Sequence, residues 1–255
     1  MKVNRVKARL KEKKIVIGSF LPLPSARLAE FVAICGFDFV VIDQEHAPIN
    51  IETAEEMVRA CELTEATPIV RVGGLEPHSI LQALDIGAMG VHIPCINTAG
   101  QAEQSVKLCK YSPLGNRGLA GVRAAGYGLQ GSLADYCRDA NEQTMVIIHI
   151  EEIEAIRNLD ALLAVDGVDV YYIGPTDLSN SLGQPGNTGG ELPAIVDNAL
   201  RKIVAAGKTA GIITNDREAA RRYVAKGVRY LATQALGLMA STSREFLKQV
   251  REEAA

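Results

Sequence analysis

The chain has 255 residues, a usual length for one eightfold α/β barrel and long enough to bury a large core. Its formal net charge is −3, so we expect no general attraction to nucleic acid or to an anionic membrane surface. Nowhere does the sequence approach the roughly 18 consecutive apolar residues that a membrane-spanning helix needs.

The N-terminal segment MKVNRVKARLKEKK, residues 1–14, is basic and lacks the apolar stretch of a secretory signal. We interpret it as a short helix that leads into the first strand. The five cysteines form no CxxC pair and stand mostly among apolar residues. We therefore predict buried free thiols and a cytoplasmic location, where such thiols stay reduced.

Strand and helix patterns alternate along the rest of the chain. Eight apolar runs are predicted as strands, and each is followed by an amphipathic segment typical of a helix. This alternation predicts the α/β class and a single (β/α)8 TIM-barrel domain over residues 1–255. The predicted strands are 15–21, 37–44, 67–73, 90–96, 144–151, 168–175, 209–214 and 230–235.

The connection over residues 111–143 is long and rich in glycine, and it carries Arg117 and Arg123. Long loops in compact domains are usually functional, so we expect this one to be able to cover the site. The glycine-rich segment 179–190 lacks the spacing of a Walker loop or of a dinucleotide fingerprint.

Charged residues follow four of the predicted strands. The clearest case is VVIDQEHAP, residues 40–48, in which a buried strand runs into Asp43, Glu45 and His46. The other three strand ends carry Arg71, Glu151 and Asp177. The carboxyl ends of barrel strands meet on one face, so these groups are predicted to form one site.

Glu151 and Asp177 are candidate ligands of Mg²⁺ or Mn²⁺, which take oxygen ligands and keep several waters or substrate oxygens. The alternative is that both acids favour the N-termini of the helices that follow.

Arg71 precedes Val72 and two glycines, a setting suited to bidentate recognition of a carboxylate or an enolate. A salt bridge to a neighbouring acid is the alternative. His46 is the candidate general base, against the alternative of a structural histidine. Asp85, at the end of the helix before the fourth strand, is a candidate to orient it.

His149 alternates with Glu151 on one strand, so both side chains face the same way and His149 could touch a bound ligand. We interpret His78 and His92 as structural residues. None of the predicted strands contains lysine, which a Schiff-base aldolase needs inside the barrel. Any carbon–carbon chemistry here would therefore rely on a metal.

Six segments in chain order resemble the HpcH/HpaI family of pyruvate-dependent class II aldolases. This is the family of 4-hydroxy-2-oxoheptanedioate aldolase and 2-dehydro-3-deoxyglucarate aldolase, with macrophomate synthase as a relative. The matching segments run from about residue 15 to residue 235. They are VVIDQEHAP, PIVRVGG, LDIGAMGVHIPCINTA, YSPLGNRG, the IE of HIEE, and IGPTDLSNSLG.

The resemblance implies a metal-dependent aldehyde-lyase that cleaves a 4-hydroxy-2-oxo acid to pyruvate and an aldehyde through a pyruvate enolate. Glu151 and Asp177 would hold Mg²⁺, Mn²⁺ or Co²⁺, and Arg71 would stabilise the enolate. His46, paired with Asp85, would be the base.

Further roles are implied for residues around these groups. Substrate binding falls to His149, Gly174, Pro175 and Thr176, and Asp43 and Glu45 would support the residues that touch the metal and the substrate. Relatives are commonly hexamers built from trimers with an exchanged C-terminal helix, so a homo-oligomer is expected.

Two segments depart from the family pattern. His149-Ile150-Glu151 stands where the family usually has Gln-Ile-Glu, and YLATQALGLM replaces the more usual Ser-Asp ending of the last strand. Three alternatives remain at this point. They are decarboxylation of oxaloacetate at the same site, a non-catalytic barrel that binds a small acid, and a phosphate-binding barrel, although the last two strand turns lack its clustered glycines.

Overall fold

A computed structural model describes residues 1–253 of the chain. Eight parallel strands form a closed barrel in which each strand pairs with the next and β8 pairs with β1. The strands are β1 Val16–Leu21, β2 Phe39–Asp43, β3 Thr67–Arg71, β4 Gly90–Ile93, β5 Met145–Ile150, β6 Val170–Ile173, β7 Ala210–Ile213 and β8 Tyr230–Gln234. The predicted TIM barrel is thus confirmed.

Helices surround the barrel, and one precedes the first strand. They are α1 Arg5–Lys11, α2 Ala26–Ile34, α3 Ile51–Glu62, α4 Pro77–Asp85, α5 Ala99–Cys109, α6 Leu133–Gln143, α7 Ile153–Arg157, α8 Leu159–Leu163, α9 Pro175–Ser181, α10 Leu192–Ala205, α11 Arg217–Ala225 and α12 Ala235–Glu253.

The strand side chains divide between two cores. Those that point outward pack against the helices in the larger core, which includes Val40, Ile42 and Val70. Those that point inward fill the barrel with larger groups, including Phe39 and Tyr230, whose rings stack 4.3 Å apart. Since strand residues alternate between two faces that are both buried, the strands are largely apolar, which made them recognisable in the sequence.

The predicted loop over residues 111–143 contains more structure than expected. It holds a 3-10 segment at Arg123–Gly128 and the helix α6, whose N-cap Ser132 accepts a hydrogen bond from the backbone of Asp135. Arg123 pairs with Glu62, at the end of α3. The 3-10 segment shares a groove with Met1 and Met89, which place it at the N-terminal end of the barrel. The expectation that this segment covers the site at the other end is wrong.

All five cysteines are free, as predicted. Cys61 and Cys109 are buried, whereas Cys35 and Cys95 are exposed, so the expectation of burial is wrong for the latter two. Among the described helices, none has the length and apolar composition needed to cross a membrane.

Candidate active site

A cavity of about 240 Å³ opens at the carboxyl ends of the strands. Nine of the residues predicted for the site line it: Asp43, His46, Arg71, His149, Glu151, Gly174, Pro175, Thr176 and Asp177. A larger groove of about 570 Å³ lies at the opposite end, where Arg123 is already neutralised by Glu62. The convergence of charged groups, rather than volume, marks the first cavity as the candidate site.

Arg71 is held in place by two carboxylates. Its Nε donates to Asp43 Oδ1 at 2.9 Å, and its Nη2 donates to Asp43 Oδ2 at 2.5 Å. Its Nη1 lies 3.0 Å from Glu45 Oε2. The salt bridge weighed as an alternative for Arg71 is therefore present, and it fixes the guanidinium beside the cavity.

The two acids beside Arg71 differ in their pKa. Burial opposes ionisation of Asp43, but the hydrogen bond and charge of Arg71 outweigh it and lower the pKa of that carboxyl. Burial raises the pKa of Glu45; Arg71 opposes this effect, and the negative charge of Glu151 adds to it. Asp43 also accepts the backbone N–H groups of Glu45 and His46, which fixes the turn after β2.

His46 lies at the rim of the cavity with its side chain 60% exposed. Its Nε2 is 3.7 Å from Glu45 Oε2, so Glu45 is the acid placed beside the imidazole.

Asp85 is not part of this arrangement, and its expected pairing with His46 within one chain is wrong. It is the last residue of α4, which runs from the end of β3 back to the start of β4. Its Oδ1 instead accepts a hydrogen bond from Arg117 at 2.8 Å. The sequence correctly placed Asp85 at the end of the helix before the fourth strand, but a helix C-terminus lies at the end of the barrel opposite to the carboxyl ends of the strands.

Glu151 is 3% exposed, and each of its carboxylate oxygens has a donor. Oε1 accepts the backbone N–H of Cys95 at 2.9 Å, and Oε2 lies 3.0 Å from His149 Nδ1. Burial opposes ionisation, yet the hydrogen bonds donated by His149 and by the backbone of Cys95 outweigh it and lower the pKa of Glu151. A Cβ on Gly174 would lie 2.7 Å from Oε2, so the carboxylate fits only because residue 174 is glycine.

Asp177 occupies the third position of α9 and is exposed beside the cavity. Within residues 1–253 its carboxylate has no hydrogen-bonding or ion-pairing partner. The N-caps of α9 and α7 are Gly174 and Glu152, so neither Asp177 nor Glu151 caps a helix. Asp177 nevertheless lies in the first turn of α9, and Glu151 directly precedes the N-cap of α7, so both acids stand where the helix dipole favours a negative charge.

The donors around the cavity fit a divalent cation. Asp43 and Glu45 pair with the single guanidinium of Arg71, and Glu151 and Asp177 also line the cavity, which leaves an excess of negative charge. Across residues 1–253, no three His, Cys, Asp or Glu side chains converge into a ready-made metal cage. Two carboxylates with the remaining positions left to water and substrate oxygens match the coordination habits of Mg²⁺ and Mn²⁺.

Five further residues line the cavity that the sequence analysis did not identify: Phe20, Pro22, Tyr172, Ile213 and Gln234. They stand at or just beyond the ends of β1, β6, β7 and β8. The strand-end rule could have found them, but none is charged. The backbone N–H of Cys95, which donates to Glu151, could not be predicted from the sequence, because every residue except proline carries the same backbone N–H group.

Fold and site together define a (β/α)8 enzyme that gathers acids and one fixed arginine at the carboxyl ends of its strands. Residues 16–238 match the HpcH/HpaI aldolase/citrate lyase family, and the chain belongs to that family. It is therefore an enzyme of a class II, metal-dependent lyase family, and the resemblance found in the sequence is confirmed.

Individual relatives agree with this assignment. The chain is 38% identical to a hydroxypyruvate/pyruvate aldolase of Pseudomonas aeruginosa over 90% of this chain and 86% of the relative. It is 37% identical to a 2-keto-3-deoxy-L-rhamnonate aldolase of Salmonella gallinarum, with the same two coverages of 90% and 86%. A family protein of Burkholderia cenocepacia superposes with a TM-score of 0.92 at 34% identity, over 98% of this chain and 100% of that one.

Proposed function

We propose that this enzyme reversibly cleaves a 4-hydroxy-2-oxo acid to pyruvate and an aldehyde. The observation that carries the proposal is the meeting of Arg71, Glu151, Asp177 and His46 around one cavity. Curated relatives named as pyruvate aldolases support the same reaction.

In the cleavage direction, His46 accepts the proton of the 4-hydroxyl group. The C3–C4 bond then breaks, the new carbonyl leaves as the aldehyde, and the electron pair remains on the pyruvate enolate. A proton delivered to C3 completes pyruvate. Exposure leaves the His46 imidazole free to exchange protons with solvent, and Glu45 is placed to orient it.

Arg71 stabilises the enolate. Asp43 and Glu45 anchor it from one side, so its guanidinium is preorganised and needs no rearrangement as negative charge develops. Glu151 and Asp177 would hold the divalent ion, and Mg²⁺, Mn²⁺ and Co²⁺ are the proposed candidates. Such an ion supplies a Lewis acid for the enolate charge. Gly174, Pro175, Thr176 and His149 line the wall beside these acids and are proposed to contact the 2-oxo acid.

The remaining wall of the cavity is uncharged. It consists of Phe20, Pro22, Tyr172, Ile213 and Gln234. A wall without a cation gives no compensation for a second carboxylate. We therefore propose that the aldehyde partner is small and uncharged.

The first test measures pyruvate release from a panel of 4-hydroxy-2-oxo acids and oxaloacetate. The protein is stripped with chelator, and Mg²⁺, Mn²⁺ or Co²⁺ is added back. We expect turnover only with added metal and faster cleavage of substrates that release an uncharged aldehyde. Folded protein without turnover under any of these conditions would reject the proposed function and leave the acid-binding barrel.

Oxaloacetate decarboxylation is the second candidate, because it needs only the enolate half of the mechanism. The His46 side chain is 60% exposed, whereas those of Arg71 and Glu151 are 12% and 3% exposed, which favours a site in which these two halves are separable. We expect His46→Ala to reduce aldol cleavage at least about 100-fold, the scale of general-base catalysis, and decarboxylation far less. Equal losses of both activities would rule out His46 as the hydroxyl base.

We also propose that the enzyme is a homo-oligomer, a trimer or a hexamer, in which α12 packs against another copy of the chain. Residues 241–250 of this helix are exposed throughout. They include Phe246, Leu247 and Val250, whose spacing puts them on one side of the helix. Exposed thiols at Cys35 and Cys95 support the proposed cytoplasmic location.

A further inference from the structure

A chain of polar side chains crosses the interior of the barrel. Tyr230, the first residue of β8, places its hydroxyl 2.8 Å from Nε2 of His92 on β4. His92 Nδ1 lies 2.8 Å from Nε2 of His149 on β5, and His149 Nδ1 lies 3.0 Å from Glu151 Oε2. None of the four residues is more than 3% exposed. The chain therefore runs without a break from the N-terminal end of the barrel to the cavity.

The direction of the hydrogen bonds follows from the two ends of this chain. The Glu151 carboxylate only accepts, so His149 Nδ1 carries a hydrogen and donates to it. His149 Nε2 then accepts from His92 Nδ1, and His92 Nε2 accepts from the Tyr230 hydroxyl. Burial lowers the pKa of His92 well below its usual value and raises that of Tyr230 well above, which keeps both groups neutral, as this arrangement needs.

Each neutral imidazole has two possible tautomers, and this arrangement selects one of each. If either ring adopted the other tautomer, a nitrogen lone pair would face an oxygen or nitrogen lone pair. The Glu151 carboxylate sets the direction of these hydrogen bonds, and the Tyr230 hydroxyl completes them by donating to the far nitrogen of His92.

Packing makes the arrangement rigid. The Tyr230 ring stacks on Phe39, and the His92 ring meets Phe20 and Tyr172 edge-on at 5.4 and 5.1 Å. On the far side of Glu151, the Cys95 N–H holds Oε1. One carboxylate oxygen is thus fixed by the backbone and the other by the chain of side chains.

We propose that Tyr230, His92 and His149 are positioning residues that orient the Glu151 carboxylate for binding of the divalent metal. This inference rests on the proposed function only in taking Glu151 as a metal ligand. The stability of the barrel does not require this chain of polar side chains, because the interior of such barrels is usually filled with branched aliphatic side chains. Outer groups that orient a metal ligand typically contribute to metal affinity.

The test compares two tyrosine variants that each lose one buried hydroxyl. Tyr230→Phe removes the start of the chain and keeps the ring that stacks on Phe39. Tyr171→Phe is the matched control, because Tyr171 is equally buried and its hydroxyl donates to the carbonyl groups of Leu162 and Val165 outside the barrel. Mn²⁺ is titrated into the chelator-stripped full chain, and free Mn²⁺ is followed by electron paramagnetic resonance.

We expect Tyr230→Phe to raise the Kd for Mn²⁺ roughly 3- to 10-fold, at or below the lower end of the usual effect of outer groups. Tyr171→Phe should leave the Kd unchanged even if it lowers thermal stability as much. In a His92→Leu background the chain is already interrupted, so Tyr230→Phe should have no further effect.

An unchanged Kd in Tyr230→Phe, or equal changes in both tyrosine variants, would overturn the proposal even if His92→Leu failed to fold. Mn²⁺ binding with the expected pattern but without aldol turnover would reject the proposed function and keep the positioning chain. Failure of the unaltered protein to bind Mn²⁺ would overturn both.

Discussion

At the scale of single residues, the site depends on buried charges that compensate one another. Asp43 is 2% exposed, and its two hydrogen bonds to Arg71 keep both groups ionised. Removing one partner of such a pair leaves the other without compensation, which costs more than the pair contributes.

We expect Asp43→Asn to lower the free energy of unfolding by about 3 kcal/mol at neutral pH, since Glu45 still pairs with Arg71. The folded pKa of Asp43 lies below its ordinary value of 3.8, so its stabilisation is present above that pH. It is lost as the pH falls through the folded pKa. Urea unfolding at neutral pH and at pH values below 3.8 checks this. A difference between the two proteins that stays constant with pH would contradict it.

Gly174 is a second residue on which the site depends, because its missing side chain leaves room for the Glu151 carboxylate. We expect Gly174→Ala to displace the Glu151 carboxylate, because the added Cβ would lie 2.7 Å from Oε2 and 2.9 Å from the Glu151 Cβ. Mn²⁺ affinity and turnover should each fall at least about 10-fold. Gly100→Ala is the control, since a Cβ there meets nothing within 4 Å. Equal effects of the two variants, or none, would argue against the crowding.

At the scale of elements, the strands and their polar ends were predictable and the connection over residues 111–143 was not. Strand periodicity and the strand-end rule both depend on local pattern, so they located the barrel and nine of the residues that line the cavity. The helix α6 follows several glycines and consists largely of polar residues, with only Tyr136 and Ala140 buried, so it is predicted as part of a loop. The place of Asp85 depends on the direction of α4, which local spacing does not reveal.

Arg117 anchors that connection. Its side chain is 1% exposed, pairs with Asp85 and lies 4.7 Å from the centre of the Tyr111 ring. We expect Arg117→Met to lower the free energy of unfolding by roughly 2–4 kcal/mol, because the half-buried Asp85 loses its partner. Arg138→Met, which removes a solvent-exposed pair with Asp135, should cost far less, because exposed ion pairs contribute little. Equal losses in chemical denaturation would show that Arg117 is not an anchor.

At the scale of the whole molecule, α12 extends past the barrel and offers an apolar surface. We expect the double variant Phe246→Glu, Leu247→Glu to shift the protein from an oligomer to a monomer in sedimentation velocity, because two charges would then be buried at the contact. Lys248→Glu, between these residues and Val250 in sequence, should leave the oligomer intact. An unaltered protein that sediments as a monomer would contradict the proposed assembly.

The position of Gly18 links the two ends of the molecule. A Cβ there would meet the Phe39 ring at 2.2 Å, and Phe39 supports the ring of Tyr230. Substitutions at the N-terminal end of such barrels are usually expected to change stability alone. Here a side chain at position 18 would push Phe39 against Tyr230, where the chain of side chains that orients the Glu151 carboxylate begins. Substitutions selected for heat resistance at position 18 would therefore change the metal affinity as well, so thermal stability and metal affinity would change together.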